Sequence, residues 1–168
     1  MADFDRAFAG LAALVLACAL PAPLAAKESL GVFDLWAAFR DPAEPRCYAI
    51  AMPRPSTLRR DYQPFASIGT WPRKGVRNQL HIRLSREVAP SGSITLILGR
   101  QRFALTGGGG DAWAADKAMD AAVVAAMRSA GSMIVSATDT RGMRFSNTFD
   151  LTGAATALDA AAVGCARL

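Results

Sequence analysis

Histidine is nearly absent from this sequence and cysteine is scarce: one His and three Cys among 168 residues. A single imidazole confines Ser/His/Asp or Cys/His chemistry to the reach of His81, and no strand-to-helix Gly-x-Ser-x-Gly turn accompanies it. With so few nitrogen and sulfur ligands, no cluster has zinc spacing, and Asp111, Asp116 and Asp120 do not follow a calcium loop. They read instead as a loop residue, a helix N-cap and a helix-face charge. Gly107-Gly-Gly-Gly110 is the low-complexity stretch, but it has neither Gly-x-x-x-x-Gly-Lys-Ser/Thr nor Gly-x-Gly-x-x-Gly spacing. It reads as a flexible linker rather than a phosphate cradle. The expectation is a protein with no catalytic residue, no metal and no cofactor.

Long apolar runs are scarce too. One spans Ala7 to Leu20 and is followed by Pro-Ala-Pro-Leu-Ala-Ala26. It is too short to cross a bilayer as a finished helix, and it ends in the prolines and small residues of a signal peptide. Asp3 and Asp5 offset Arg6, so the usual positive charge before the run is missing. Residues 1–26 are therefore expected to be a signal peptide and 27–168 a single domain, periplasmic or envelope-associated, with no transmembrane segment. Val15-Leu-Ala-Cys18 loosely resembles a lipobox, which leaves Cys18 either discarded with the signal or lipidated at a new N-terminus. Cys47 and Cys165 remain. In an oxidising compartment they are expected to form one disulfide.

What is present is a globular composition, 52% apolar and 20% charged, written mostly at period two. Leu30–Phe39 is an apolar opening segment, and Cys47–Met52 a strand with Tyr48, Ile50 and Met52 on one face. Phe65–Trp71 is a strand stopped by Pro72. Gln79–Ser85 turns Leu80, Ile82 and Leu84 inward and Gln79, His81 and Arg83 to water. Ile94–Leu98 and Arg102–Thr106 make a hairpin. After the glycines, Met119, Val123, Ala126, Met127 and Ala130 follow helical spacing between an Asp116 cap and Gly131. Met133–Ala137 and Met143–Leu151 form a second hairpin, and Ala154–Val163 a short closing helix. The fold class is mainly β: an antiparallel β-sandwich of about seven strands with two short helices.

The last third has a recognisable order. Asp120-Ala-Ala-Val-Val-Ala-Ala-Met-Arg-Ser-Ala-Gly131 precedes Ser132-Met-Ile-Val-Ser136, a Gly-containing hairpin and Phe149-Asp-Leu-Thr-Gly153 before an alanine-rich helix. This resembles the invasion-associated locus B family of exported bacterial proteins. Trp36 and Cys47-Tyr-Ala-Ile50 match the family's early part, and Leu151-Thr-Gly153 its late part. Ala154 stands where that family usually has Phe, and its second cysteine pair is missing. Over residues 33–166 the resemblance implies a periplasmic or envelope-associated β-sandwich with no established enzymatic activity. It carries over no catalytic residue.

Charge is the remaining signal. Residues 40–102 hold twelve Arg/Lys against four Asp/Glu, a balance of +8, whereas residues 103–168 balance at −1. A half this basic attracts anions over a Debye length. Arg59, Arg60, Arg73, Lys74, Arg77 and Arg83 are the candidate anion-binding cluster, with Trp71 as a stacking surface. Export argues against nucleic acid. The candidate partner is an anionic envelope component (lipopolysaccharide, anionic phospholipid or acidic glycan) or another envelope protein. The alternatives are a structural or stress-accessory module without a specific ligand, and, last, an envelope-polymer hydrolase. Trp36, Trp71 and Trp113 are dispersed, and are read as core or rim rather than as a carbohydrate platform.

Overall fold

Period-two alternation is realised as antiparallel strands throughout a computed structural model that describes residues 26–166. The apolar run Ala7–Leu20 and Cys18 lie outside the described residues. The elements are β1 Glu28–Phe33, β2 Trp36–Asp41, β3 Arg46–Ala51, β4 Phe65–Trp71, β5 Val76–Val88, β6 Ile94–Leu98, β7 Gln101–Trp113, α1 Lys117–Met127, β8 Ser132–Thr138, β9 Arg144–Asp150 and α2 Ala154–Cys165. A 3-10 turn, Pro72–Lys74, joins β4 to β5. The hydrogen-bonded order is β1-β2-β3-β4-β5-β7-β6-β8-β9.

The antiparallel, mainly β class with two short helices is as expected; the strand count is nine rather than about seven. The opening segment makes the difference, and the glycine segment is also built otherwise than expected. Leu30–Phe39 is a hairpin, β1 and β2 turning at Asp34 with φ 52°. Its partners share too little polar alternation to betray two strands. Gly107–Gly110 is no linker but the middle of the 13-residue β7. There β7 changes partner, from β6 through residues 101–105 to β5 through residues 109–113. Gly107 sits at φ 151°, and a Cβ there would collide with the Asp111 carbonyl. The glycines let one strand serve two halves of the sheet, and those halves fold over each other about β5 and β7. At the far end Val88 forms an isolated bridge with Asp139, and Ser85 N–H donates to Asn147 Oδ1 at 3.0 Å.

The inner faces form one core. Leu80, Ile82 and Leu84 on β5 are fully buried, as alternation requires, and so are Leu96, Met133, Val135 and Phe149. Burial of a Leu or Ile side chain is worth about 1.5–3 kcal/mol. Trp36 is core as well, with its indole N–H donated to the Asp150 carbonyl at 2.8 Å. On β3 the face that turns inward is the small one, Cys47, Ala49 and Ala51, while Tyr48 and Ile50 face out. The reason is α2, whose buried Ala154, Ala157 and Ala161 need small partners to approach the strands closely. Cys47 and Cys165 are joined there, with Cα atoms 5.6 Å apart across a sequence separation of 118.

Helix α1 is capped as expected, Asp116 accepting the Met119 N–H at 2.8 Å, but it stops at Met127, short of Gly131. Its Asp120 is buried and accepts the Leu80 N–H at 2.8 Å, pinning the helix to β5. Burial pushes this carboxyl above its ordinary value, with the Leu80 N–H acting the other way. A raised folded value means stability that is fully present below the unfolded value of 3.8 and lost as pH rises through the folded one. Asp120→Asn keeps the acceptor and removes the buried charge. Its urea midpoint should exceed that of the unmodified chain at neutral pH, and the gain should vanish in acid. A lower midpoint at neutral pH would show that the carboxylate itself is required.

Candidate functional site

The turn after Trp71 exposes Arg73 and Lys74, and Arg77 follows, exposed, on the first residues of β5. Arg77 borders a depression of about 320 Å³ with Thr70, Asn78 and the disulfide's Cys165. Arg59 and Arg60 lie in the exposed connection from β3 to β4, which docks on the other end of β5. The Ser85 carbonyl accepts Asp61 N–H at 2.8 Å, and Arg86 Nε donates to the Arg59 carbonyl at 3.0 Å. From Arg77 to Arg86 a strand advances about 30 Å. Five of the six expected basic residues therefore occupy two poles of β5 rather than one patch.

Arg83 belongs to neither pole. Its guanidinium pairs with Asp111 and lies 3.9 Å from the centre of the Tyr62 ring. That ion pair cancels its charge. By contrast, among the described residues no carboxylate lies within 4 Å of Arg59, Arg60, Arg73, Lys74 or Arg77. Arg54, not singled out from the sequence, lies beside Arg59 and Arg60 in a groove of about 80 Å³, but is itself clamped to Asp150 at 2.7 Å. The Asp150 carboxyl is accordingly held below its ordinary value by the Arg54 hydrogen bonds.

Trp71 points away from the basic turn. A Cβ placed on Gly69 would lie 2.7 Å from the Trp71 ring, so the indole folds back over Gly69 on the outer face of β4. This close approach is open only to glycine. The register then sets up three rows across the sheet. Tyr48, Gly69 with its covering indole, and Gln79 form one; Ile50, Ser67, His81 and Trp113 the second; Phe65, Arg83 and Asp111 the third. The first two rows, with Phe65 of the third and Arg46, border an open groove of about 440 Å³. Arg46 lies 4.9 Å from the Tyr48 ring centre and 5.8 Å from that of Trp71, and its buried Nε makes no hydrogen bond. Phe39 stacks behind Tyr48, ring centres 5.6 Å apart.

His81 is thus not a solvated strand residue. It is half-buried, parallel to the Trp113 indole at 5.2 Å and edge-on to Phe65 at 5.3 Å, with Nε2 2.9 Å from Asp111 Oδ1. Gln79 and Arg83 are half-buried likewise, because aromatic neighbours cover the side of the sheet that alternation assigns to water. Ser67 stands opposite His81, which brings a serine, an imidazole and a carboxylate onto one surface. No hydrogen bond joins Ser67 to the ring among the described residues, and the ladder occupies the strand N–H groups that an oxyanion would need. The aromatic surface was missed in the sequence for a simple reason. Tyr48, Phe65, Trp71 and Trp113 are far apart along the chain, and alternation predicts only which side they take, not that four strands align them.

No family model matches the chain, and no curated protein does. Among solved structures, the crystal structure of invasion associated protein B from Bartonella henselae superposes with a TM-score of 0.57 at 14% identity, over 81% of this chain and 96% of that one. The two chains share a fold, as the sequence resemblance implied.

Proposed function

From a fold shared with an invasion-associated protein B, we propose that this chain is an exported envelope protein that works by binding rather than catalysis. Its partner is anionic, and the β4–β5 turn receives it. The observation that carries this reading is the trio Arg73, Lys74 and Arg77: exposed, close in sequence and without a carboxylate within 4 Å, while Arg40, Arg46, Arg83 and Arg86 are all ion-paired. Unpaired guanidinium and ammonium groups at a strand turn keep their full field for an external anion. The shared chemistry of the candidate partners is phosphate or carboxylate, presented by anionic phospholipid, lipopolysaccharide or an acidic glycan.

Replacing Arg73, Lys74 and Arg77 together with Ser should leave the melting temperature almost unchanged, because exposed, unpaired charges contribute little to folding. Each basic group at an anionic surface is worth about 1 kcal/mol, so the triple change should weaken binding to phosphatidylglycerol vesicles about a hundredfold at low salt. Lipopolysaccharide and polygalacturonate, run in parallel, separate the three sources. Absence of binding to all three by the unmodified chain, or binding indifferent to both salt and the triple change, would overturn the proposal.

A further inference from the structure

We propose that the outer face of β3, β4, β5 and β7 is a glycan-binding platform for a neutral, flat pyranose chain of the cellulose or chitin type. The observations differ from those that support the basic turn. Both helices pack against the inner layer, α2 on β1 to β4 and α1 on β5 to β7, and leave this face uncovered. On it Tyr48, Phe65, Trp71 and Trp113 are half-exposed around one groove, Trp113 at 36%. Aromatic rings left partly in water on a rigid sheet offer large apolar area at little conformational cost, and their faces suit the axial C–H groups of equatorially substituted sugars. Between them stand the polar side chains of Gln79, Ser67 and His81.

Charge decides between occupants that stack. Single-stranded nucleic acid also lies on aromatic faces, but it needs a positive channel along its backbone. Here Arg83 is cancelled by Asp111, and Arg46 lies 3.6 Å from Asp41 and 3.5 Å from Glu44. A near-neutral, aromatic, hydrogen-bonding groove fits a neutral sugar chain instead. Its length fits more than one ring: Tyr48 on β3 and Trp113 on β7 are three strand spacings apart, about 14 Å.

Titration of the whole protein with cellohexaose and chitohexaose, followed by tryptophan fluorescence and calorimetry, tests this. At least one should bind with saturation. Trp113→Ala and Tyr48→Ala should each weaken it about tenfold, the scale of one lost stacking contact, without lowering the melting temperature appreciably. Trp36, buried in the core, should keep its emission unchanged and serve as an internal reference. Binding should be the same at about 0.01 M and about 1 M salt, and the Arg73, Lys74 and Arg77 triple change should leave it intact. That last result separates this platform from the anionic site. No saturable binding of either sugar at about millimolar concentration, binding indifferent to both aromatic changes, or tighter binding of oligo(dT) would overturn the proposal.

Discussion

Removing the disulfide should lower the melting temperature of the protein by about 15–20 °C. The estimate starts from the closed loop: the bonded residues are 118 apart in sequence, and constraining so long a loop in the unfolded chain is worth about 4–5 kcal/mol. For a domain of this size each kcal/mol moves the midpoint by about 4 °C. A local argument points the same way. Helix α2 docks through Ala154, Ala157 and Ala161, which bury little area each, so Leu158 and the covalent tether at Cys165 carry much of its attachment. Replacing Cys47 and Cys165 together with Ala avoids leaving an unbonded polar group in a buried site. In that variant, amide exchange should accelerate first in α2, before β5 or β8 responds. Peptide mapping of the denatured, unreduced protein should find both residues protected from alkylation. Alkylation of both, or a double variant that melts with the parent, would dispose of the cross-link's role.

Much of the fold was legible because one face of each strand is paid in apolar burial and the other is not. The strand Phe65–Trp71 and the burial of Leu80, Ile82 and Leu84 follow from alternation alone. Asp116 was readable as a cap because its carboxylate has one obvious use there. The failures share a cause as well. Alternation says which residues share a face, but not what covers that face. It assigned His81 and Arg83 to water without seeing that neighbouring segments would bring Tyr62, Phe65 and Trp113 against them. On β3 it could not tell that the small face would be the inner one, since that depends on the alanines of a helix more than a hundred residues later. The basic half of the chain was visible in composition. Its division into paired and unpaired residues was not, because pairing with Asp111, Asp139 or Asp150 is a matter of register and topology.

Arg86 is the sharpest case, and it sets the second large expected effect. On β5 it sits at an inward position, the same parity as Leu84, and is buried at 5% exposure. Its Nη1 donates to Asp139 Oδ2 at 3.1 Å and its Nε to the Arg59 carbonyl at 3.0 Å. Asp139, 1% exposed, also accepts the N–H groups of Arg141 at 3.0 Å and Met143 at 2.9 Å. The clasp therefore ties three segments together: the end of β5, the β8–β9 turn and the connection carrying Arg59. The Met143 N–H, foremost, and then those of Arg141 and the Arg86 guanidinium hold the Asp139 carboxyl below its ordinary value against the effect of burial. A lowered folded value means stability present above the unfolded value of 3.8 and lost as pH falls through the folded one. Asp139→Ala strands a buried guanidinium, a change that costs about 3–5 kcal/mol, so the urea midpoint at neutral pH should fall by about 2 M. Removing both charges, as Arg86→Met with Asp139→Asn, should recover much of that loss, because no buried charge is then left unpaired. The double variant should also show a shallower loss of stability in acid than the unmodified chain. If Asp139→Ala unfolds at the parent's midpoint, the Arg86 guanidinium reaches water in solution and the clasp does not hold these segments.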